Sequence, residues 1–293
     1  MKPSLFEYVA AETVEEAVEA RARYEDSVVL AGGQSLVPTL NFRLSNPSAV
    51  IDLRRVPDIV GVEIAHGWVR VGAMTRQRDL ESHPQAVQAN GLLRETLHHV
   101  AHPVIRNRGT IGGSIAHADP SAELPCLLTT LRGQVVAVSA SRERVIPATD
   151  LFEFIVTTSL EPDEIITEVR FPVLPVGAGW SFNEFSRRHG DFALAGVASV
   201  VELDEDCQIT SVRTGASGVA TTPVAMPEVE GALIGKRAEP DTVRVAAELA
   251  ADVVTVDDDP TVSADYRRHL LVGLTQRSLS RSIKRATEGT SQP

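Results

Sequence analysis

Cysteines and aromatic residues are scarce in this 293-residue chain. The only two cysteines are Cys126 and Cys207. An iron–sulfur cluster needs four ligands, usually cysteines, so the chain does not house one by itself. Lone thiols in a reducing compartment are typical of inert buried residues. Aromatic residues make up 4% of the sequence, which leaves few rings on which nucleic-acid bases could stack.

Acidic residues outnumber basic ones by 39 to 28, and the formal net charge is −11. Nucleic-acid binding needs a basic face, so no nucleic-acid partner is expected. No apolar stretch is long enough to span a bilayer, and the N-terminus lacks the apolar region of a signal peptide. We therefore expect a cytoplasmic protein without a membrane span. The chain length suits two domains, or one large domain with an appendage.

Strand and helix patterns alternate in the first part of the chain. Thr13 with Glu16 three residues later forms a capping box that starts a helix. A hairpin is predicted that turns at His66 and Gly67. Residues 105–122 are rich in Gly, Asn, Asp and Ser and are predicted to be loop-like. The predicted strands are 28–31, 50–53, 60–64, 68–71, 134–138, 144–146 and 165–171, and the predicted helices are 35–44, 75–82 and 85–100.

A proline- and glycine-rich stretch at 172–179 predicts a linker. Beyond it, the pattern predicts three antiparallel strands followed by two helices, at 181–186, 193–203, 209–217, 241–254 and 264–285. The basic residues of the last helix are assigned to a solvated face: Arg267, Arg277, Arg281 and Lys284.

The first of two glycine pairs lies in the sequence A-G-G-Q-S-L at 31–36, between a predicted strand and a predicted helix. Adjacent glycines can adopt positive φ and bring backbone N–H groups close to an anion. The following helix start adds partial positive charge, and Ser35 offers a hydroxyl donor. Taken alone, this loop is better explained as a plain turn with a serine cap.

The second glycine pair lies in the sequence R-G-T-I-G-G-S at 108–114, again flanked by hydroxyl residues. Taken alone, it is explained as a close crossing of two backbones. Together, the two loops indicate convergence on one diphosphate from two sides. A Rossmann loop keeps its three glycines in one turn, and a Walker loop continues with Lys and Ser or Thr, so neither pattern applies.

Charged residues near the second loop leave two interpretations open. Arg106 and Arg108 neutralise a phosphate, or they face solvent or pair with acids such as Asp119 and Glu123. No metal site is predicted, because the neighbouring histidines fit no standard zinc spacing and lack cysteine or clustered carboxylate partners. These histidines are His98, His99, His102 and His117.

Four segments then occur in a recognisable order. They are the 31–36 loop, V-G-A-M-T at 71–75, I-R-N-R-G-T-I-G-G-S-I-A-H-A-D-P-S-A-E-L-P at 105–125, and F-S-R-R-H-G-D-F-A at 185–193. They closely resemble the FAD-carrying medium subunit of molybdenum hydroxylases, the family of aerobic carbon monoxide dehydrogenase, xanthine dehydrogenase and the nicotine- and caffeine-type dehydrogenases. The resemblance covers nearly the whole chain, and its most specific part is 105–125.

The resemblance implies an α+β fold in two domains. The first, at 1–175, would be an FAD-binding domain of the vanillyl-alcohol-oxidase (PCMH) type, with subdomains of about 1–57 and 58–175. The second, at 176–293, would be a smaller C-terminal domain with a three-stranded antiparallel sheet and helices. FAD would lie between the N-terminal subdomains and the C-terminal domain.

The resemblance also implies which residues contact FAD. Both glycine loops would lie at its pyrophosphate and Ile166 beside its isoalloxazine ring. Glu123, at a position that is commonly Asp in the family, would bind ribityl or ribose hydroxyls. Arg187 or Arg188 would stabilise reduced, anionic flavin, or would pair with surface acids. The candidate FAD-binding residues are therefore Ala31, Gly32, Gly33, Gln34, Ser35, Leu36, Thr75, Thr110, Ile111, Gly112, Gly113, Ser114, Glu123, Ile166 and Arg187.

Gln34 stands where related covalent flavoproteins use a histidine to tether the flavin. Glutamine cannot form that bond, so the FAD is expected to be non-covalent. No side chain is assigned as a catalytic acid or base, because the redox chemistry belongs to the cofactor.

The function implied is electron transfer within a larger enzyme. A large molybdenum–pterin subunit would hydroxylate the substrate, and a small subunit with two [2Fe-2S] clusters would pass electrons to FAD on this chain. The expected assembly is a dimer of heterotrimers. Two alternatives are a self-contained FAD-dependent oxidoreductase of the same superfold and a non-redox nucleotide-binding module. The sequence does not indicate the substrate or the electron acceptor.

Overall fold

A computed structural model describes residues 2–188, 190–258 and 262–290. His189 of the 185–193 segment, and residues 259–261 and 291–293 of the predicted C-terminal domain, lie outside the described residues. The fold is mixed α/β, and three principal sheets follow one another along the chain. Among the described helices, none combines the length and the apolar character that a membrane crossing requires.

The first sheet is parallel and has its central strand fully buried. Thr13 Oγ1 accepts a hydrogen bond from Glu16 N at 3.2 Å, which confirms the predicted helix start. The returning bond runs from Glu12 N to Glu16 Oε2 at 2.8 Å, one residue before the cap. The strands, in spatial order, are β1 (Glu7–Ala10), β3 (Ala49–Asp52) and β2 (Ser27–Leu30), and the helices are α1 (Val14–Arg23) and α2 (Leu36–Asn41), followed by the 3-10 turn Pro57–Ile59.

The second sheet is antiparallel and contains the predicted hairpin, which turns at His66 and Gly67. Its spatial order is β4 (Val62–Ala65), β5 (Trp68–Gly72), β10 (Ile165–Pro172), β6 (Gln134–Val138) and β7 (Glu143–Pro147). The small strands β8 (Phe152–Phe154) and β9 (Thr157–Thr158) form a separate pair. The associated helices are α3 (Gln77–Glu81), α4 (Pro84–Ala89), α5 (Gly91–His99), α6 (Pro103–Arg106), α7 (Ile111–His117), α8 (Glu123–Thr130) and α9 (Ala148–Leu151).

The prediction of a loop over residues 105–122 is wrong at 105–106 and 111–117, which are helical, and α7 carries both glycines of the second pair. Thr110 caps this helix, with its Oγ1 accepting from Gly113 N at 3.1 Å. Ile111 and Ile115 are fully buried on its inner face. This packing outweighs the low helix propensity of glycine. The predicted helix at 85–100 is also interrupted, at Asn90, whose side chain donates to Pro172 O at 2.9 Å.

The third sheet contains the three predicted antiparallel strands and a short fourth. Its strands are β11 (Gly179–Phe185), β12 (Ala195–Leu203), β13 (Ile209–Ser217) and β14 (Val224–Ala225). The helices that pack with it are α10 (Pro227–Leu233), α11 (Pro240–Glu248) with the 3-10 turn Leu249–Val253, and α12 (Ala264–Thr290). A side chain at Gly179 would overlap Ser282 O, so α12 and β11 are in direct backbone contact.

Glu95 of α5 joins the helices of the second sheet to the third sheet. Its carboxylate accepts from Phe182 N at 3.1 Å and from Arg285 Nη1 at 2.6 Å. Arg285 also donates to Trp180 O at 2.5 Å, and its guanidinium lies 5.6 Å from the Trp180 ring centroid. One carboxylate therefore ties α5, β11 and α12 together.

The basic residues of α12 differ: Arg277 and Lys284 are exposed as predicted, whereas the assignment to a solvated face is wrong for Arg267. Arg267 donates to Leu194 O at 2.8 Å and to Gly218 O at 2.6 Å. Arg281 lies 3.6 Å from Glu95 Oε1. These acceptors come from elements distant in sequence, so helical periodicity does not reveal them.

We expect Glu95→Ala to lower the stability of the chain by about 1–3 kcal/mol, because Phe182 N and Arg285 lose a partly buried acceptor. For a chain of this size the corresponding fall in Tm is several degrees, measurable by differential scanning calorimetry. Glu248→Ala is the control, since Glu248 makes only an exposed ion pair with Arg244, a type worth well under 1 kcal/mol. An equal Tm for Glu95→Ala and the control would contradict the assignment.

Candidate cofactor-binding site

The two glycine loops are in direct contact. A Cβ at Gly32 would overlap Arg108 O and lie 2.8 Å from Gly109 Cα. A Cβ at Gly113 would lie 2.6 Å from Thr110 Oγ1 and 3.2 Å from Ala31 Cβ. Both pairs therefore need glycine where the loops touch, and the first and second sheets meet at this point.

The first loop presents a row of backbone donors that have no acceptor within the described part of the chain. Among residues 2–188, 190–258 and 262–290, no hydrogen-bond acceptor is found for the main-chain N–H groups of residues 32–36. Gly33 has φ of +72°, which favours glycine. Gln34 braces the turn by donating from Nε2 to Gly32 O at 2.9 Å. A concave run of unpaired N–H groups of this kind suits an anion such as a diphosphate.

The second loop differs, because its main-chain donors are already engaged. Ile111 N donates to Thr75 O at 3.0 Å and Gly112 N to Ala73 O at 2.8 Å. Gly113 N and Ser114 N both donate to Thr110. These bonds fix α7 against β5, so the second loop forms the wall that faces the first loop. The sequence had suggested the same donor chemistry for both loops.

Thr75 and Ile166 both lie next to this wall. The Thr75 hydroxyl accepts from Gly61 N and donates to Gly61 O, each at 2.9 Å, so its bonding capacity serves the fold. Ile166 is buried on β10, beside a bulge at Thr167. Thr167 O accepts from Ala73 N at 2.9 Å, and a Cβ at Gly112 would lie 2.5 Å from Ala73 Cβ. Ile166 is thus one residue from the packing contact of the second loop.

Glu123 is the first residue of α8 and is buried. Burial, followed by repulsion from Glu184, raises the pKa of the Glu123 carboxyl to about 8. Near neutral pH this carboxyl therefore retains a proton and can both donate and accept hydrogen bonds. Such a group suits hydroxyl partners.

The structure separates the two arginines whose roles the sequence left open. Arg106 is buried and pairs with Glu81 at 3.0 Å, and it also donates to Val100 O at 2.8 Å, so its role is structural. Arg108 has an exposed side chain, while its carbonyl lies against Gly32. Arg76, which sequence reasoning missed, donates to Arg108 O and brings a second guanidinium to the loop contact. Burial, and then the charge of Arg108, lowers the pKa of Arg76.

Arg187 is exposed in the connection between β11 and β12. This connection packs back onto the first domain, since a Cβ at Gly190 would lie 2.7 Å from His102 Cε1. Arg187 thus precedes by three residues a contact between this connection and His102.

The cysteines and histidines form no metal-binding group in the described part of the chain. His99 Nδ1 lies 3.4 Å from Glu184 Oε1, and His98 Nδ1 lies 3.6 Å from Glu81 Oε1. Cys126 is buried, and burial raises the pKa of its thiol to about 12, which makes it inert as predicted. Cys207 is exposed instead, in a turn with φ of +59°.

Two family models match successive parts of the chain. Residues 4–174 match the FAD binding domain in molybdopterin dehydrogenase, and residues 180–282 match the CO dehydrogenase flavoprotein C-terminal domain. The 6-hydroxypseudooxynicotine dehydrogenase complex subunit alpha of Paenarthrobacter nicotinovorans is 42% identical, over 98% of this chain and 97% of its own length. The nicotine 6-hydroxylase medium subunit of the same organism is 38% identical, over 95% and 98%.

The solved structures agree with these relatives. Carbon monoxide dehydrogenase from Hydrogenophaga pseudoflava superposes with a TM-score of 0.94 at 34% identity, covering 97% of this chain and 99% of the matched chain. The fold class and the family resemblance predicted from the sequence are confirmed. This chain belongs to the family of FAD-binding medium subunits of molybdenum hydroxylases.

Proposed function

We propose that this chain carries FAD non-covalently and transfers electrons within a heteromeric molybdenum hydroxylase. Electrons pass from [2Fe-2S] clusters on a partner subunit through FAD to an external acceptor. The observation that carries this proposal is the row of five N–H groups at residues 32–36 that find no acceptor among the described residues, opposite the second loop. A polar cradle without a protein acceptor is costly unless a ligand or water completes it.

The residues present fit the cofactor. The N–H groups of 32–36 would hold its pyrophosphate, and Ser35 and Ser114 offer hydroxyls on the two sides. Ile166 would lie beside the isoalloxazine, Glu123 would bind hydroxyls of the cofactor, and Arg187 would lie near the flavin edge. When bound, FAD would supply the redox chemistry that this protein's side chains do not: it can take electrons one at a time from one-electron [2Fe-2S] clusters and pass them on singly or as a pair.

The partners and the division of the chain are part of the same proposal. A small [2Fe-2S] subunit and a large molybdenum–pterin subunit would complete the enzyme as a dimer of heterotrimers in the cytoplasm. The FAD-binding domain would span 1–175, with subdomains at about 1–57 and 58–175, and the C-terminal domain 176–293. Relatives that are named as a subunit of a dehydrogenase complex and as a medium subunit support this assembly.

Affinity purification of the chain from its native host tests the assembly. We expect flavin absorption together with iron–sulfur absorption, and two co-purifying subunits that contain iron–sulfur and molybdenum–pterin. Complete substrate turnover by the purified chain alone would favour a self-contained oxidoreductase. A chain that takes up no FAD would favour the non-redox module.

Gly113→Val should abolish FAD retention while leaving the chain folded. The added side chain meets Thr110 Oγ1 and Ala31, and relieving such overpacking costs about 1–3 kcal/mol and shifts the two loops apart. The ratio of absorbance at the flavin band to that at 280 nm reports occupancy, and circular dichroism reports folding.

Gly231→Val is the matched control, because a Cβ at Gly231 of α10 meets no atom within 4 Å. It places the same side chain in another helix and should retain wild-type flavin occupancy. Wild-type occupancy in Gly113→Val as well would show that the second loop serves the fold alone.

Gln34→Ala should weaken FAD binding by about two- to tenfold, the contribution of one net hydrogen bond within the loop. Titration calorimetry of the FAD-free chain measures the change, with the exposed Gln85→Ala as control.

All FAD should leave the wild-type protein on acid precipitation. Flavin that stays with the precipitate would contradict non-covalent binding.

A further inference from the structure

The carboxylate of Glu184, in the C-terminal part of the chain, lies close enough to Glu123 to repel it. Glu184 lies on β11, and its side chain is only 6% exposed. Its Oε2 atom is buried and has no hydrogen-bond partner within the described chain. Its Oε1 atom lies 3.4 Å from His99 Nδ1.

The surroundings of Glu184 supply too few donors for a buried carboxylate. Glu123 is close enough for the two carboxyls to repel, and Asp119 adds negative charge. Arg106, whose charge acts on Glu123, is committed to Glu81 and to backbone carbonyls. A buried acceptor in this position is costly unless a donor from outside the chain completes it.

The position of the pair indicates where that donor comes from. Glu123 begins α8, the helix that follows α7 and the second glycine loop. Glu184 approaches from the third sheet, and His99 of α5 lies beside it and packs its ring 5.2 Å from that of Phe182. The two carboxyls therefore approach each other from the third sheet and from the helix that follows the second glycine loop.

We propose that Glu184 accepts a hydrogen bond from the riboflavin half of FAD, opposite Glu123. This inference rests on the proposed function, since it assumes that FAD occupies the cradle. The donors in that half are the ribityl hydroxyls and the N3–H of the ring, and the adenosine half lies on the other side of the pyrophosphate. Glu184 thus makes the C-terminal domain part of the binding site.

A binding role and a structural role predict opposite results for Glu184→Ala. Removing a buried carboxylate whose Oε2 has no hydrogen-bond partner within the described chain should leave the Tm of the FAD-free chain unchanged or raise it. The same change should raise the Kd for FAD about tenfold or more, the effect of losing a hydrogen bond to a charged group. The Kd for ADP, which lacks the riboflavin half, should stay within twofold of wild type.

Glu184→Gln and Glu202→Ala complete the comparison. The glutamine keeps one acceptor oxygen and should bind FAD with an affinity between wild type and Glu184→Ala. Glu202 lies on the neighbouring strand β12, and its loss should change neither Kd. Two further ligands separate the candidate donors, because riboflavin has the ribityl chain and lumiflavin lacks it. If Glu184→Ala removes the difference in affinity between riboflavin and lumiflavin, the bond comes from the ribityl hydroxyls. If the difference in affinity is kept, the bond comes from N3–H.

Wild-type FAD affinity in Glu184→Ala would overturn the inference. So would a lowered Tm of the FAD-free variant with equal losses of FAD and ADP affinity, since that pattern belongs to a structural role. A wild-type chain that binds no FAD would instead overturn the proposed function itself.

Discussion

Gly32 lies so close to the main chain of Arg108 and Gly109 that no side chain fits between the two loops. This contact fixes the first sheet relative to the second. The two loops in contact also differ in how their main-chain N–H groups are used. The N–H groups of the second loop donate hydrogen bonds to Thr75 O, to Ala73 O and to Thr110, which caps the helix, and these bonds make the loop rigid. The first loop, held against that rigid wall, keeps its N–H groups for a ligand.

Two carboxylates at the same domain boundary, those of Glu95 and Glu184, differ in whether the protein supplies their hydrogen-bond donors. Glu95 is satisfied by Phe182 N and Arg285, and it holds the domains together. Glu184 lies on the same strand as Phe182 but has a buried oxygen without a donor. A satisfied buried carboxylate is structural, whereas an unsatisfied one marks a place where the fold is incomplete without a ligand.

Local sequence patterns predicted those elements whose cause is local. The hairpin around His66 and Gly67 and strands such as β6 and β13 follow from alternation and turn chemistry. The helix α7 was missed because its glycines pack against Ala73, a partner far away in the sequence. The loops of the candidate site were found from their glycines. Arg76 and Glu184 were not, because their significance depends on Arg108 and on an absent donor, which no spacing rule encodes.

The bond between Glu95 and Arg285 joins residues 190 positions apart in the chain. A ribosome adds about 5–20 residues per second, so tens of seconds separate the synthesis of these two partners. For most of that interval both glycine loops are already made, while α12 cannot yet contact Glu95. The contact that joins α5 to α12 therefore forms only after nearly the whole chain has been made.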